Sequence, residues 1–169
     1  DTEAILHLVA RSQRNRFIDR FVDAIRQIEG AYALVALSTD RMIGARDPLG
    51  IRPLVIGELD GHYILASETC ALDILGARYV RDVENGEVVV ISDTGLTSLH
   101  PLPPQPMRPC IFEFIYFARP DSIVQGKSVY DVRKAMGIEL ARESAVDADV
   151  VVPVPDSGVP AALGYSQER

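Results

Sequence analysis

Arg46-Asp47-Pro48-Leu49-Gly50-Ile51-Arg52-Pro53-Leu54 packs two prolines, a glycine and three charges into nine residues, between two apolar runs. Pro48 and Pro53 fix φ, and Gly50 opens backbone conformations closed to other residues. The segment therefore reads as a rigid, shaped loop, and loops of that kind carry function out of proportion to their length. The plainer reading is an irregular connector with one surface Asp and two surface Arg.

The flanks of this loop are strand-like. Upstream, residues 41–45 form one short run and residues 31–38 another. The latter is apolar almost throughout, which predicts a strand covered on both faces. Downstream, residues 54–58 and 62–66 are joined by Asp60-Gly61, the signal of a type I′ hairpin. Residues 70–77 are a short helix candidate, Asn85-Gly86 marks a turn, and residues 87–92 and 96–100 form a hairpin around Asp93-Thr94-Gly95. At the start of the chain residues 2–12 read as a helix with Ile5, Leu8 and Val9 on one face. A second helix follows, with Phe17, Ile18, Phe21, Val22, Ile25 and Ile28 at helical spacing. Helices followed by short antiparallel strands predict an α+β layering, in which helices cover stacked antiparallel sheets.

Composition breaks at residues 100–109, which hold five prolines: Pro101, Pro103, Pro104, Pro106 and Pro109. Such a segment is a stiff, extended linker and the best domain boundary in the chain. Beyond it, residues 110–117 are apolar and aromatic, readable as helix or strand. Ser128 with Asp131 is a capping-box-like start for a helix to about residue 145, expected to bury Val129, Val132, Met136 and Leu140. Residues 149–155 begin as a short buried strand, and Asp156-Ser157-Gly158-Val159-Pro160 opens another helix. Helix, strand, loop and helix in that order predict the start of an open α/β sheet domain.

The 169 residues are 47% hydrophobic and 24% charged, with a formal charge of −7 and an isoelectric point near 4.9. That balance offers no basic footprint for nucleic acid or an anionic membrane, and no apolar run is long enough to span one. Cys70 and Cys110 are too few for a disulfide framework and point to a reducing, cytoplasmic compartment. The three histidines, His7, His62 and His100, show no metal spacing. The junction at Asp156-Ser157-Gly158 lies where open α/β sheets bind ligands, at a helix N-terminus suited to an anion. There Ser157 is either a plain helix cap or a hydroxyl for phosphate or metal-bound water.

Several of these stretches carry a resemblance. The central loop with Ala66-Ser67-Glu68-Thr69-Cys70-Ala71-Leu72 resembles the class II (N-terminal-nucleophile) glutamine amidotransferase domain, shared by amidophosphoribosyltransferases and asparagine synthetases. Cys110-Ile111-Phe112-Glu113-Phe114-Ile115-Tyr116-Phe117-Ala118-Arg119-Pro120-Asp121-Ser122 is similar to the junction segment of amidophosphoribosyltransferases. Ser128-Val129-Tyr130 with Arg133 and Gly137, then Val152-Pro153-Val154-Pro155-Asp156-Ser157, are similar to the opening of that family's phosphoribosyltransferase domain. The second half separates this family from asparagine synthetases.

The resemblance implies an α/β chain in three stretches. Residues 1–100 would be the C-terminal part of the glutamine amidotransferase domain, with stacked antiparallel sheets. Residues 101–109 would be the linker, and residues 110–169 the start of a type I phosphoribosyltransferase domain. It implies a parent enzyme that hydrolyses glutamine and uses the ammonia to displace pyrophosphate from phosphoribosylpyrophosphate, the committed step of purine synthesis. The family nucleophile is an N-terminal cysteine that neither Cys70 nor Cys110 can replace, so the resemblance places it upstream of Asp1. It places the phosphoribosylpyrophosphate loop downstream of Arg169, and the chain alone is expected to lack both half-reactions. Asp1 matches the residue that contacts the α-amino group of glutamine. Asp47, Gly50 and Arg52 match the loop that shapes that site. Ser157 matches a position of the magnesium–phosphoribosylpyrophosphate site, acting on Mg2+ through water. Cys110 stands near a ligand of the [4Fe–4S] cluster that some members hold, but reads more readily as a small buried apolar residue. Purine nucleotide inhibition and homo-oligomerisation are also family traits. Two rival readings are a non-catalytic paralogue and another class II amidotransferase.

Overall fold

The computed structural model describes residues 2–103 and 105–168. They divide into two compact units, and each takes two pieces of the sequence.

The first unit comprises Asp1–Ile51 and Glu84–Arg108. It opens with α1 (Thr2–Arg11) and α2 (Phe17–Ile25). Four antiparallel strands follow: β1 (Ala33–Leu37), β2 (Met42–Arg46), β6 (Val88–Ser92) and β7 (Gly95–Leu99), in the order β1-β2-β6-β7. The apolar stripe of α2 packs on this sheet: Ile18, Phe21 and Ile25 meet Ile43, Ala45 and Val88, with Tyr32 in the same core. The strand read from residues 31–38 is present but is not covered on both faces. α2 covers one face of this sheet, so by the alternation of a strand Leu34 and Ala36 pack on the core while Val35 and Leu37 face outward, Leu37 at 81% exposure. An apolar run by itself does not say how many layers cover it. The proline-rich segment lies against the central loop. The Gln105 and Arg108 N–H groups donate to the carbonyls of Pro48 (3.3 Å) and Leu49 (2.8 Å).

The second unit comprises Arg52–Val83 and Pro109–Arg169. Its sheet is β3 (Val55–Leu59), β4 (His62–Ala66) and β5 (Arg78–Asp82), antiparallel in the order β4-β3-β5. Asp60 and Gly61 have φ of 51° and 81°, the double left-handed turn that their dipeptide signals. α3 (Thr69–Leu75) packs Leu72 against Val55 and Ala77. Gly57 makes that approach possible, since a Cβ there would stand 2.4 Å from Leu72 Cδ2. The ambiguous aromatic run resolves as a π-helical turn, Glu113–Phe117, closed by Ala118 N–H donating to the Glu113 carbonyl at 3.0 Å. A two-residue hairpin, β8 (Ile123–Val124) and β9 (Lys127–Ser128), leads into α4 (Val129–Glu143). Ser128 caps α4 by accepting the Asp131 N–H at 3.2 Å.

Two expectations fail here. α4 buries Val129, Arg133, Gly137 and Ala141, whereas Met136 and Leu140 are exposed and Val132 is half-buried. The reason is its partner, α5 (Val159–Glu168), which needs small residues at the contact. A Cβ on Gly137 would lie 1.9 Å from the Ala161 carbonyl oxygen, and one on Gly164 would lie 2.1 Å from that of Lys134. Residues 149–155 form no strand, and Val150, Val152 and Val154 are largely exposed. Strand pairing needs a neighbour, and the described residues supply none for this segment. No helix among the described residues is long and apolar enough to cross a membrane.

Candidate functional site

In the first unit the central loop is built around one buried carboxylate. Asp47 is fully buried. Its side chain accepts backbone N–H groups from Leu49 (3.0 Å), Ile51 (3.1 Å) and Tyr32 (3.3 Å). Its carbonyl accepts from Gly50 and Gly86, at 3.0 and 3.1 Å, and its own N–H donates to the Tyr32 carbonyl at 3.0 Å. A carboxylate surrounded by backbone donors holds a turn in one shape, because it replaces the water those donors would need. Gly50 is required twice over. Its φ is +60°, and a Cβ would fall 2.0 Å from Asn85 Oδ1. Buried Arg46 donates to the Gly50 carbonyl at 3.0 Å and closes the loop from below. Tyr32 lies beside Asp47. Burial, with that negative charge, pushes its phenol up to about 12.

In the second unit Arg52 faces a different set. Its Nε is 3.2 Å from Glu113 Oε1, and its guanidinium sits 4.7 Å from the centre of the Phe117 ring. The Glu113 oxygen lies off the N–H direction, so the contact is an ion pair without an aligned hydrogen bond. Glu68 Oε2 accepts from the Arg119 N–H (2.7 Å) and the Ser122 hydroxyl (2.8 Å). Thr69 Oγ1 accepts the Ile123 N–H at 2.8 Å. From α4, buried Arg133 donates to the carbonyls of Phe114 (2.5 Å) and Ala118 (2.8 Å). Burial pulls the Arg133 guanidinium down, and the negative charge of Glu68 supports it.

Burial pushes the Glu113 carboxyl above its ordinary 4.5, against the pull of Arg52, and the charge of Glu68 adds to the rise. As pH rises the unfolded chain therefore loses this proton first. Stability attributable to Glu113 is full below 4.5, falls as pH climbs through the raised value, and is level above it. Glu113→Gln should remove that fall. The check is the difference between wild-type and variant urea midpoints from about pH 4 to about pH 7. A difference that does not change with pH would assign no such titration to Glu113.

The residues singled out from sequence are shared between the two units. Asp47 and Gly50 meet in the first unit, Arg52 belongs to the second, and Asp1 lies outside the described residues. Ser157 is half-buried in the turn before α5. Cys70 is buried, Cys110 is half-buried, and both are free thiols.

Residues 1–73 match the family described as a glutamine amidotransferase domain. The amidophosphoribosyltransferase of Rhizobium etli is 61% identical, across 99% of this chain and 35% of the relative. The chloroplastic enzyme of Glycine max is 53% identical, across 98% of this chain and 29% of its own length. Along its whole length, this chain is homologous to amidophosphoribosyltransferases. The solved glutamine phosphoribosylpyrophosphate amidotransferase of B. subtilis, complexed with ADP and GMP, superposes with a TM-score of 0.95 at 45% identity. The match covers 99% of this chain and 37% of that one. A second structure, titled as the allosteric regulatory enzyme of purine biosynthesis, has the same score and identity and is covered to 36%. The chain thus spans about a third of the length of the amidophosphoribosyltransferases it matches.

Within that homologous segment, the sequence reading gave no role to Glu68, Glu113 or Arg133. Glu113 carried a signal of its own, an acid inside the apolar run Ile111-Phe112-Glu113-Phe114-Ile115. A charge in such a run is expected to be paired if it is buried. Among the described residues no group of three or more His, Cys, Asp or Glu could hold a metal ion. A [4Fe–4S] cluster takes four thiolates, of which this chain offers two at most. Ser157 places one hydroxyl in the turn before α5, and magnesium, which takes carboxylates, waters and substrate phosphates, would need the rest of its oxygens from elsewhere.

Proposed function

We propose that the parent of this chain makes 5-phosphoribosylamine from phosphoribosylpyrophosphate and glutamine. One half-reaction adds water to glutamine and yields glutamate and ammonia. In the other, ammonia attacks the anomeric carbon of phosphoribosylpyrophosphate and pyrophosphate leaves. The observation that supports this reading is the unbroken likeness to the B. subtilis enzyme across 99% of the chain, on both sides of residues 101–109.

In this reading residues 1–100 belong to the glutamine side and residues 110–169 to the phosphoribosyl side. Asp1 holds the glutamine ammonium. Asp47 and Gly50 keep the adjoining loop in a single shape, and Arg52 anchors its far end. Ser157 would hold magnesium through water, and that ion would neutralise charge on the departing pyrophosphate. Neither cysteine of this chain is the nucleophile. The parent is assigned to the cytoplasm, as a homo-oligomer that binds purine nucleotides, in line with the ADP and GMP in the B. subtilis structure.

The test is to incubate the full-length parent with phosphoribosylpyrophosphate and Mg2+, and to count pyrophosphate and glutamate with glutamine or an ammonium salt as nitrogen source. Pyrophosphate from both sources, with glutamate from the first, is the expected result. Pyrophosphate from neither would turn the reading to a non-catalytic paralogue. The present chain alone should release neither product above a buffer blank.

A further inference from the structure

Arg52, Glu68 and Thr69 lie within the part of the chain that matches the glutamine amidotransferase domain, while Glu113, Arg119, Ser122 and Ile123 lie beyond it. Yet all seven belong to one compact unit. One carboxylate oxygen of Glu68 carries two of the bonds that join these stretches, to groups 51 and 54 residues away. The Ser122 it receives is fully buried, and Thr69 adds a parallel bond to Ile123. Arg133 holds the start of the same turn by donating to the Ala118 carbonyl. The turn 118–122 is thus suspended between a carboxylate and a guanidinium, which attract it by opposite ends of its peptide groups. A negative acceptor makes shorter and stronger bonds than a neutral one, so Glu68 sets the position more firmly than a hydroxyl would.

We propose that Glu68 is a positioning residue that couples the two half-reactions, and this rests on the function proposed above. It ties the chain that follows the glutamine amidotransferase segment to the sheet of that segment, so that released nitrogen is delivered and not lost to solvent. Glu68 touches no substrate in this role. Its loss leaves each half-reaction working and breaks the ratio between them.

The experiment uses the full-length parent and three variants, Glu68→Ala, Glu68→Gln and Ser122→Ala. With an ammonium salt, pyrophosphate release by Glu68→Ala should stay within about twofold of wild type. With glutamine it should fall about tenfold while glutamate release continues, so that glutamate exceeds pyrophosphate by about the same factor. Glu68→Gln keeps an oxygen able to accept both bonds and should restore much of the coupling. Ser122→Ala removes one of the two bonds and should uncouple partly, which keeps the test decisive if the alanine variant at 68 does not fold. A glutamate-to-pyrophosphate ratio unchanged in Ser122→Ala and in every folded variant at 68 overturns the proposal. So does an equal loss with both nitrogen sources. A wild-type parent that releases pyrophosphate from neither source overturns the proposed function itself, and with it the role of Glu68.

Discussion

Asp47→Ala should destabilise the first unit by about 3–5 kcal/mol, the largest effect expected of any single change in the central loop. The carboxylate is the acceptor for three backbone N–H groups, those of Tyr32, Leu49 and Ile51. Alanine leaves all three without it. The Tyr32 bond is buried, so water cannot replace the lost acceptor there. The other two are partly buried and lose somewhat less. Asp47→Asn keeps one carbonyl oxygen and turns an NH2 group towards the remaining donors, so it should fall between the two. Urea unfolding followed by far-ultraviolet circular dichroism checks this. A midpoint for Asp47→Ala equal to wild type would show that the loop does not depend on its carboxylate. If the proposed function holds, glutamine use by the parent should fall with the loop's shape while ammonia use persists.

Gly137→Ala should cost about 3 kcal/mol, towards the upper end for overpacking a close contact. Alanine is the better helix former by about 1 kcal/mol, so propensity alone predicts the opposite sign. What decides is the 1.9 Å distance from the added methyl to the Ala161 carbonyl oxygen. That oxygen is backbone and cannot rotate away, so α4 and α5 must separate. Met136, on the same helix, is exposed, and Met136→Ala should change stability by no more than about 0.5 kcal/mol. Hydrogen exchange of the α5 amides, measured in both variants, reads the contact directly. Faster exchange in Met136→Ala than in Gly137→Ala would mean that α4 packs through the other face.

The contrast between these two residues shows what the sequence carries. Apolar spacing on α4 points to Met136 and Leu140 as the buried side. The partner reverses that reading, because two backbones that nearly touch leave no room for side chains. Nothing local to residues 129–143 announces α5. The same holds for β5, whose Arg78-Tyr79-Val80-Arg81-Asp82 has too short an alternation to stand out, and which exists because β3 offers it an edge. By contrast Asp60-Gly61, the cap at Ser128 and the Asp47 bonds to Leu49 and Ile51 are set by atoms a few residues apart, and all three are legible in the chain itself. Of the candidate site, the shape of the loop could be read. The acceptor role of Glu68 could not, since its donors lie 51 and 54 residues further on.

Residues 150–155, where Val150, Val152 and Val154 are largely exposed, would offer the two edges of an extended backbone unequally. In an extended backbone alternate residues turn their N–H groups to opposite edges. One edge of Val150-Val151-Val152-Pro153-Val154-Pro155 carries the donors of Val150, Val152 and Val154. The other carries that of Val151 alone, since Pro153 and Pro155 have none. The run can therefore zip to a neighbouring strand on a single side.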